Sequence, residues 1–445
     1  MKLHRTLLLV VILICMTNHV TAQNGVNSPY SRYGLGMQSD HALGFNKAMS
    51  GVALGFRDGQ SINVANPASY SAVDSLTAIF DLGLTLQNGN YKMGGVQQNR
   101  RNTSFDYFAF HFRARPHLGI ALGILPYTKI NYSFTSSSNL LEGTENTTTS
   151  YAFNGTGGVH QLFIGAGWQP FNRLSIGANL SFLYGDYRHT ATMSFNSTTI
   201  YSPMRGYTAD ISTYKLDFGA QYTHPITPKD QLTIGFTYGL GHDINNRAVR
   251  FTRTINSSSA VQTDTTETIH KAFQLPHSFA AGLAWNHNNR WIVGIDATWD
   301  KWSNCRFPAQ EDDTYQSTTG QLNDHLRLAI GASFTPNTES RRYFNRITYK
   351  AGAYCAQPYA KTDAADLQTD KPLEFGVSAG FTLPIQNRNL WRSSPKINVA
   401  FQWVHTSIPY VGNTSHRQEK LTENYLRLSL GLTFSERWFY KWKVQ

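Results

Sequence analysis

From Thr77 onward, apolar and polar positions alternate with a period of two. In Ala78, Phe80, Leu82, Leu84 and Leu86 the apolar side chains share one face, and Asp81, Gly83, Thr85 and Gln87 share the other. The pattern returns at Leu174–Tyr184, Leu232–Leu240, Trp291–Trp299 and Leu426–Phe434. Such alternation marks β-strands with one apolar face. Strands are expected near 77–87, 105–113, 117–134, 158–169, 174–195, 211–223 and 231–254, then near 268–285, 290–302, 322–334, 343–355, 371–384, 395–407 and 421–435. That is about fourteen, an even number, as single-chain bacterial barrels require.

The connections sort by length. Those at 115–117, 169–173 and 286–289 are short, whereas 88–104, 135–157, 196–210, 255–267, 303–321, 356–370 and 408–420 are long and polar. Short turns alternating with long loops are the periplasmic and extracellular ends of an outer-membrane barrel. A soluble sandwich would have to bury every apolar face, and in lipid no open sheet edge is tolerated, so the sheet is expected to close. Aromatic residues near strand ends read as interface girdles: Tyr127, Trp168, Trp285, Trp291, Trp302, Trp391, Trp403 and Trp438.

Residues 28–75 do not alternate. Glycine, serine and asparagine dominate, yet Leu35, Met37, Leu43, Phe45, Met49, Val52, Leu54 and Phe56 are too apolar for a solvated tail. A barrel of this strand number encloses a lumen wider than its own side chains fill. Its inward positions are small: Gly119, Ala121, Gly123, Ser175, Gly177, Ser181, Gly235, Gly239, Gly376, Ser378 and Gly380. The early segment is therefore expected inside the barrel. Ahead of it, Lys2 and Arg5, the apolar run Leu7–Met16 and Val20-Thr21-Ala22 read as a secretory signal over 1–22. The expected organisation is a signal peptide at 1–22, a plug at 23–75 and a transmembrane barrel at 76–445.

Composition agrees with a barrel. Aromatics are 13% and charged residues only 15%, against about 25% charged in soluble domains. The formal charge of +11 is scattered, without a basic stripe interleaved with aromatics, so nucleic acid is not an expected partner. Anionic outer-membrane lipid and lipopolysaccharide are. Beyond the signal, Cys305 and Cys355 fit no metal motif and leave two readings, one loop-to-loop disulfide or two free thiols.

The segment Ala48-Met49-Ser50-Gly51-Val52-Ala53, then Arg57-Asp58, then Ser61-Ile62-Asn63-Val64-Ala65-Asn66-Pro67-Ala68 resembles the N-terminal hatch of the FadL family, outer-membrane channels for long-chain fatty acids and other hydrophobic compounds. The resemblance implies a fourteen-stranded barrel and a small-residue helical stretch in the hatch. It also implies hatch or gating roles for Ser50, Gly51, Arg57, Asp58, Asn66, Pro67 and Ala68. In that family a kink in the third strand opens a lateral gap into lipid, and Leu125-Pro126 is the candidate position here. Proline lacks the N–H a ladder needs, so Pro126 also reads simply as a bulge. The opening Ser28-Pro29-Tyr30-Ser31-Arg32-Tyr33-Gly34 and the C-terminal Trp438–Gln445 depart from the family pattern, which leaves the cargo open. The expected function is passive uptake of hydrophobic small molecules across the outer membrane. The alternatives are a partner in protein secretion or surface attachment, and a general porin.

No Gly-x-Ser-x-Gly elbow, His-Glu-x-x-His or P-loop is present, so no enzyme, cofactor or metal is expected. Glu311-Asp312-Asp313 reads as a solvated loop.

Overall fold

The alternating segments become fourteen antiparallel strands that close on themselves. The structure, a computed structural model, describes residues 26–93, 95–139, 148–195, 201–244, 247–255, 261–311, 314–361, 372–385, 395–411 and 418–437. The expected signal peptide lies outside them. The strands are β1 (Thr77–Met93), β2 (Val96–Arg115), β3 (Leu118–Asn139), β4 (Thr148–Phe171), β5 (Leu174–Phe195) and β6 (Ser202–Pro225). Next come β7 (Asp230–Gly239, continued by Arg247–Ile255) and β8 (Val261–His270, continued by Ser278–His287). The last six are β9 (Trp291–Asp300), β10 (His325–Phe334), β11 (Thr348–Gln357), β12 (Leu373–Pro384), β13 (Lys396–Val411) and β14 (Gln418–Arg437). Each pairs with its sequence neighbour, and β1 pairs with β14 from Thr77↔Arg437 to Lys92↔Thr422, which closes the cylinder.

The outward positions form a band of exposed apolar side chains, among them Leu84, Leu162, Ile164, Ile234, Ile295 and Leu328. In water such a surface would be untenable; in lipid it is the required one. No described helix is long and apolar enough to cross a membrane, and the crossing elements are strands.

Strands β3 to β6 run 22 to 24 residues, about twice what the hydrocarbon needs. Much of the sequence expected as loop at 88–104, 135–157 and 196–210 is therefore ladder. Strands β1 and β2 stay paired up to Met93↔Val96. Beyond the lipid both faces can be polar, so the alternation that reveals a strand fades there.

The long-loop end is capped. Tyr127, Ile130, Tyr132 and Tyr187 from the strands pack with Ile244, Phe273, Trp302, Leu322 and Tyr359 from the connections, and with Leu35 of the N-terminal segment. Trp302 stacks on Tyr359 at 4.8 Å between ring centroids. Tyr127 and Trp302 are thus buried in this cap and are not girdle residues, whereas Trp168, Trp285, Trp291 and Trp403 are exposed on the outer wall. Trp391 and Trp438 lie outside the described residues. The disulfide reading is also corrected: Cys305 is buried in the cap, Cys355 is exposed on β11, and both thiols are free.

Candidate functional site: the lumenal plug and the gap in the wall

Residues 26–75 lie in the lumen as three short 3-10 turns, Pro29–Arg32, Lys47–Met49 and Pro67–Ala72, joined by irregular chain. The helical stretch implied for 48–53 is reduced to the turn Lys47–Met49. It is stopped by Ser50 and Gly51 in left-handed conformation (φ 51° and 77°), and a non-glycine residue there ends a helix outright. At the other end, the Asn66 side-chain oxygen accepts from the Ala68 N–H at 3.1 Å. Pro67 occupies a first helical position where no N–H is needed.

The wall is shaped to receive this backbone. A Cβ added at Gly235 would stand 1.9 Å from the Leu54 carbonyl oxygen, and one at Gly119 1.9 Å from that of Tyr70. Both wall positions must stay glycine for the plug to seat. Polar side chains on inward positions then hold it. The Asp296 carboxylate of β9 accepts from the N–H groups of Ala53 (2.7 Å) and Leu54 (2.9 Å). Gln221 of β6 donates to the carbonyls of Leu54 (2.9 Å) and Phe56 (3.0 Å). Asn66 donates to Leu54 (3.0 Å) and Ala220 (3.2 Å) carbonyls. The Ser50 N–H donates to the Ser378 hydroxyl at 2.8 Å, and Arg327 donates to the Ser50 carbonyl at 2.5 Å. Neutral bonds of this kind are each worth about 1 kcal/mol net, and those to a charged group more.

One stretch of wall lacks its ladder. Strands β2 and β3 pair only from Phe108↔Ile124 to Arg115↔Leu118. Toward the capped end, β2 pairs with β1 alone and β3 with β4, while the β3–β4 register shifts between Pro126 and Thr128. Leu125 and Pro126 are buried at the point where the β2–β3 pairing stops. The plug covers the exposed edge. Met37 and Gln38 pair with Lys129 and Thr128 of β3, and the Ser39 N–H donates to the Tyr127 carbonyl at 3.0 Å. Side chains span the rest. Asn27 donates to Asn102 of β2 (2.7 Å) and accepts from Asn131 of β3 (2.8 Å). Asp106 of β2, at a bulge opposite Gly83/Leu84, pairs with Lys47 of the plug and lies 4.0 Å from Lys129 of β3.

Of the residues singled out from sequence, Ser50, Gly51, Asn66, Pro67 and Ala68 sit where plug meets wall, and Leu125-Pro126 sits at the gap. Arg57 and Asp58 lie apart, at the short-turn end. The Arg57 guanidinium donates to Ala68 O (3.4 Å) and the Gln169 side chain (2.9 Å), and burial lowers its pKa to about 10. Sequence reasoning missed Asp296, Gln221, Asp106, Lys47 and Asn27. Asp296 was visible as an acid on the polar face of Trp291–Trp299; nothing in the sequence marked its partner.

A barrel of fourteen strands with a plug from its own N-terminus and an interrupted second ladder is the architecture of an outer-membrane protein. Solved structures agree in fold. A Pseudomonas aeruginosa FadL homologue superposes with TM-score 0.63 at 12% identity, covering 91% of this chain and all of that one. The Pseudomonas putida toluene transporter TodX gives 0.58 at 16%, covering 90% and 99%, and the CymD monoaromatic hydrocarbon channel 0.55 at 12%, covering 90% and 98%. At these identities the likeness is one of fold. The BamG family model matches residues 4–445, and the chain belongs to the BamG family. No curated protein sequence matches it. The protein resides in the outer membrane.

Proposed function

We propose that this protein is an outer-membrane channel for hydrophobic small molecules, fatty acids or other apolar compounds, with the plug as its gate and the β2–β3 gap as a lateral port. The interrupted ladder carries the reading: the wall has a seam bridged by the plug and by the Lys129 contacts to Ser104 and Asp106, so moving the plug would leave the lumen closed toward lipid by those side chains alone. Lateral release has a physical motive, since each CH₂ kept out of water saves about 0.8 kcal/mol. The similar structures described as toluene and monoaromatic hydrocarbon channels support the ligand class. The reading is not enzymatic, because the buried charged groups described above are engaged in holding the plug. A porin would need an open polar bore, and the plug occupies it.

The test is to tie the seam shut. In a Cys305→Ser, Cys355→Ser background, Ser104→Cys and Lys129→Cys joined by a short bifunctional thiol reagent are expected to cut uptake of labelled oleate or toluene by about tenfold, as locking a gating element should. Unchanged uptake would remove the lateral port.

A second reading, a non-transport partner of a protein-secretion or surface-attachment system, is favoured by a different observation. The long-loop end is capped by an aromatic cluster, and the cavity behind the seam is about 60 Å³, lined by Lys47, Asp106, Lys129 and Arg427 among others. That is space for about two waters, and no acyl chain fits. On this reading, mild-detergent purification yields stoichiometric protein partners and no enriched apolar ligand. On the first, lipid mass spectrometry finds the ligand.

A further inference from the structure

At the short-turn end, the underside of the plug and the strand turns enclose a second, larger cavity of about 510 Å³. Its lining is polar and unevenly charged. Arg57 comes from the plug, Arg113 from the end of β2 and Arg173 from the β4–β5 turn. Among the described residues none of the three has a carboxylate within ion-pair distance. Arg57 is half-buried and held by neutral acceptors, the Ala68 carbonyl and the Gln169 side chain. Arg113 donates to the Ser75 hydroxyl at 2.8 Å and the Val73 carbonyl at 3.4 Å.

Two acids, Asp58 and Asp74, share the lining, so the three arginines leave an excess of one positive charge. Asp58 accepts from the Ser61 hydroxyl at 2.5 Å and the Gln60 N–H at 3.1 Å. Asp74 accepts from the Gln60 amide at 3.4 Å. Both are thus tied into the plug's own loop. A guanidinium partly removed from water and lacking a counter-charge is a standing cost that an entering anion would relieve. Its planar fork matches carboxylate and phosphate oxygens two at a time. The cavity is also in the size range of small-ligand sites, large enough for an oxyanion with a body attached.

We propose that this cavity is an oxyanion site open to the periplasm, in which Arg57, Arg113 and Arg173 bind a carboxylate or phosphate group. Arg57 anchors the ligand against the plug, and the other two arginines hold it to the barrel rim. Occupancy would therefore bridge plug and wall. The site is independent of what, if anything, passes the seam.

The test uses the purified full-length protein in detergent at low ionic strength, titrated calorimetrically with inorganic phosphate and with the dipeptide N-acetyl-Glu-Glu-amide. Saturable binding of either probe is expected. Phosphate alone would assign a phosphate source, and the dipeptide alone a carboxylate one. Arg57→Gln should weaken binding at least tenfold, and Arg113→Gln and Arg173→Gln severalfold each. Arg341→Gln, on an exposed turn outside the cavity, should leave it unchanged. Folding of each variant is checked by heat-modifiable electrophoretic mobility. Absence of saturation by both probes, or equal binding by folded Arg57→Gln and wild type, overturns the assignment.

Discussion

Deleting residues 26–75 should turn a non-conducting barrel into a wide pore. In planar bilayers the full chain is expected to pass almost no current, and the deletion variant at least about tenfold more, because a fourteen-strand wall cannot fill its own lumen. The reason is specific to this wall. Its inward face is small where the plug lies, at Gly119, Gly177 and Gly235, whose missing side chains make room for the carbonyls and backbone of Tyr70, Pro67 and Leu54. Without the plug nothing replaces that volume. The aromatic cap would shrink the effect only in part, since Leu35 is itself a plug residue within the cap. A deletion barrel that folds yet stays closed would show that the cap alone seals the lumen.

A milder change separates seating from presence. Gly235→Leu keeps the plug but puts a side chain where the Leu54 carbonyl lies. It is expected to leave the barrel's heat-modifiable mobility intact while making residues 26–75 sensitive to trypsin. A protected plug in that variant would mean the seat yields.

The sequence showed the barrel most clearly where lipid enforces it. Leu82, Leu84 and Leu86 must alternate with polar residues because one side is hydrocarbon and the other is lumen. Where β1 and β2 rise beyond the lipid, Asn88 to Lys92 pair with Gln97 to Arg101, and nothing in those residues separates a ladder from a polar loop. Tyr127 and Trp302 mislead for a related reason. An aromatic near a strand end suits either an interface or a buried cap, and the partners that decide, Leu35 and Tyr359 among others, are remote in sequence. The plug was legible as a failure of alternation, and its lumenal place from the small inward residues. The seam was legible only at Pro126. Its other half, the Asp106 bulge and the Asn27 bridge, depends on register, which no single segment encodes.

Asp296→Ala should loosen the plug locally, around Ala53 and Leu54. Its carboxylate is buried on β9 and takes both the Ala53 and Leu54 N–H groups on one oxygen. Removing it deletes two charge-assisted hydrogen bonds and strands two donors inside the lumen, a loss of roughly 3–5 kcal/mol. The barrel itself, held by ladders on either side of β9, should keep its melting behaviour. The expected readout is hydrogen exchange: the amides of Ala53 and Leu54 should exchange at least about a hundredfold faster, as a local opening of that free energy implies. Asp296→Asn keeps an acceptor of the same shape and should fall between. The Gln221 contacts to Leu54 and Phe56 bound the effect from above, since they continue to hold the same stretch from β6. If exchange at Ala53 and Leu54 is unaltered in Asp296→Ala, the plug is held by its fit against the wall glycines and the carboxylate contributes little.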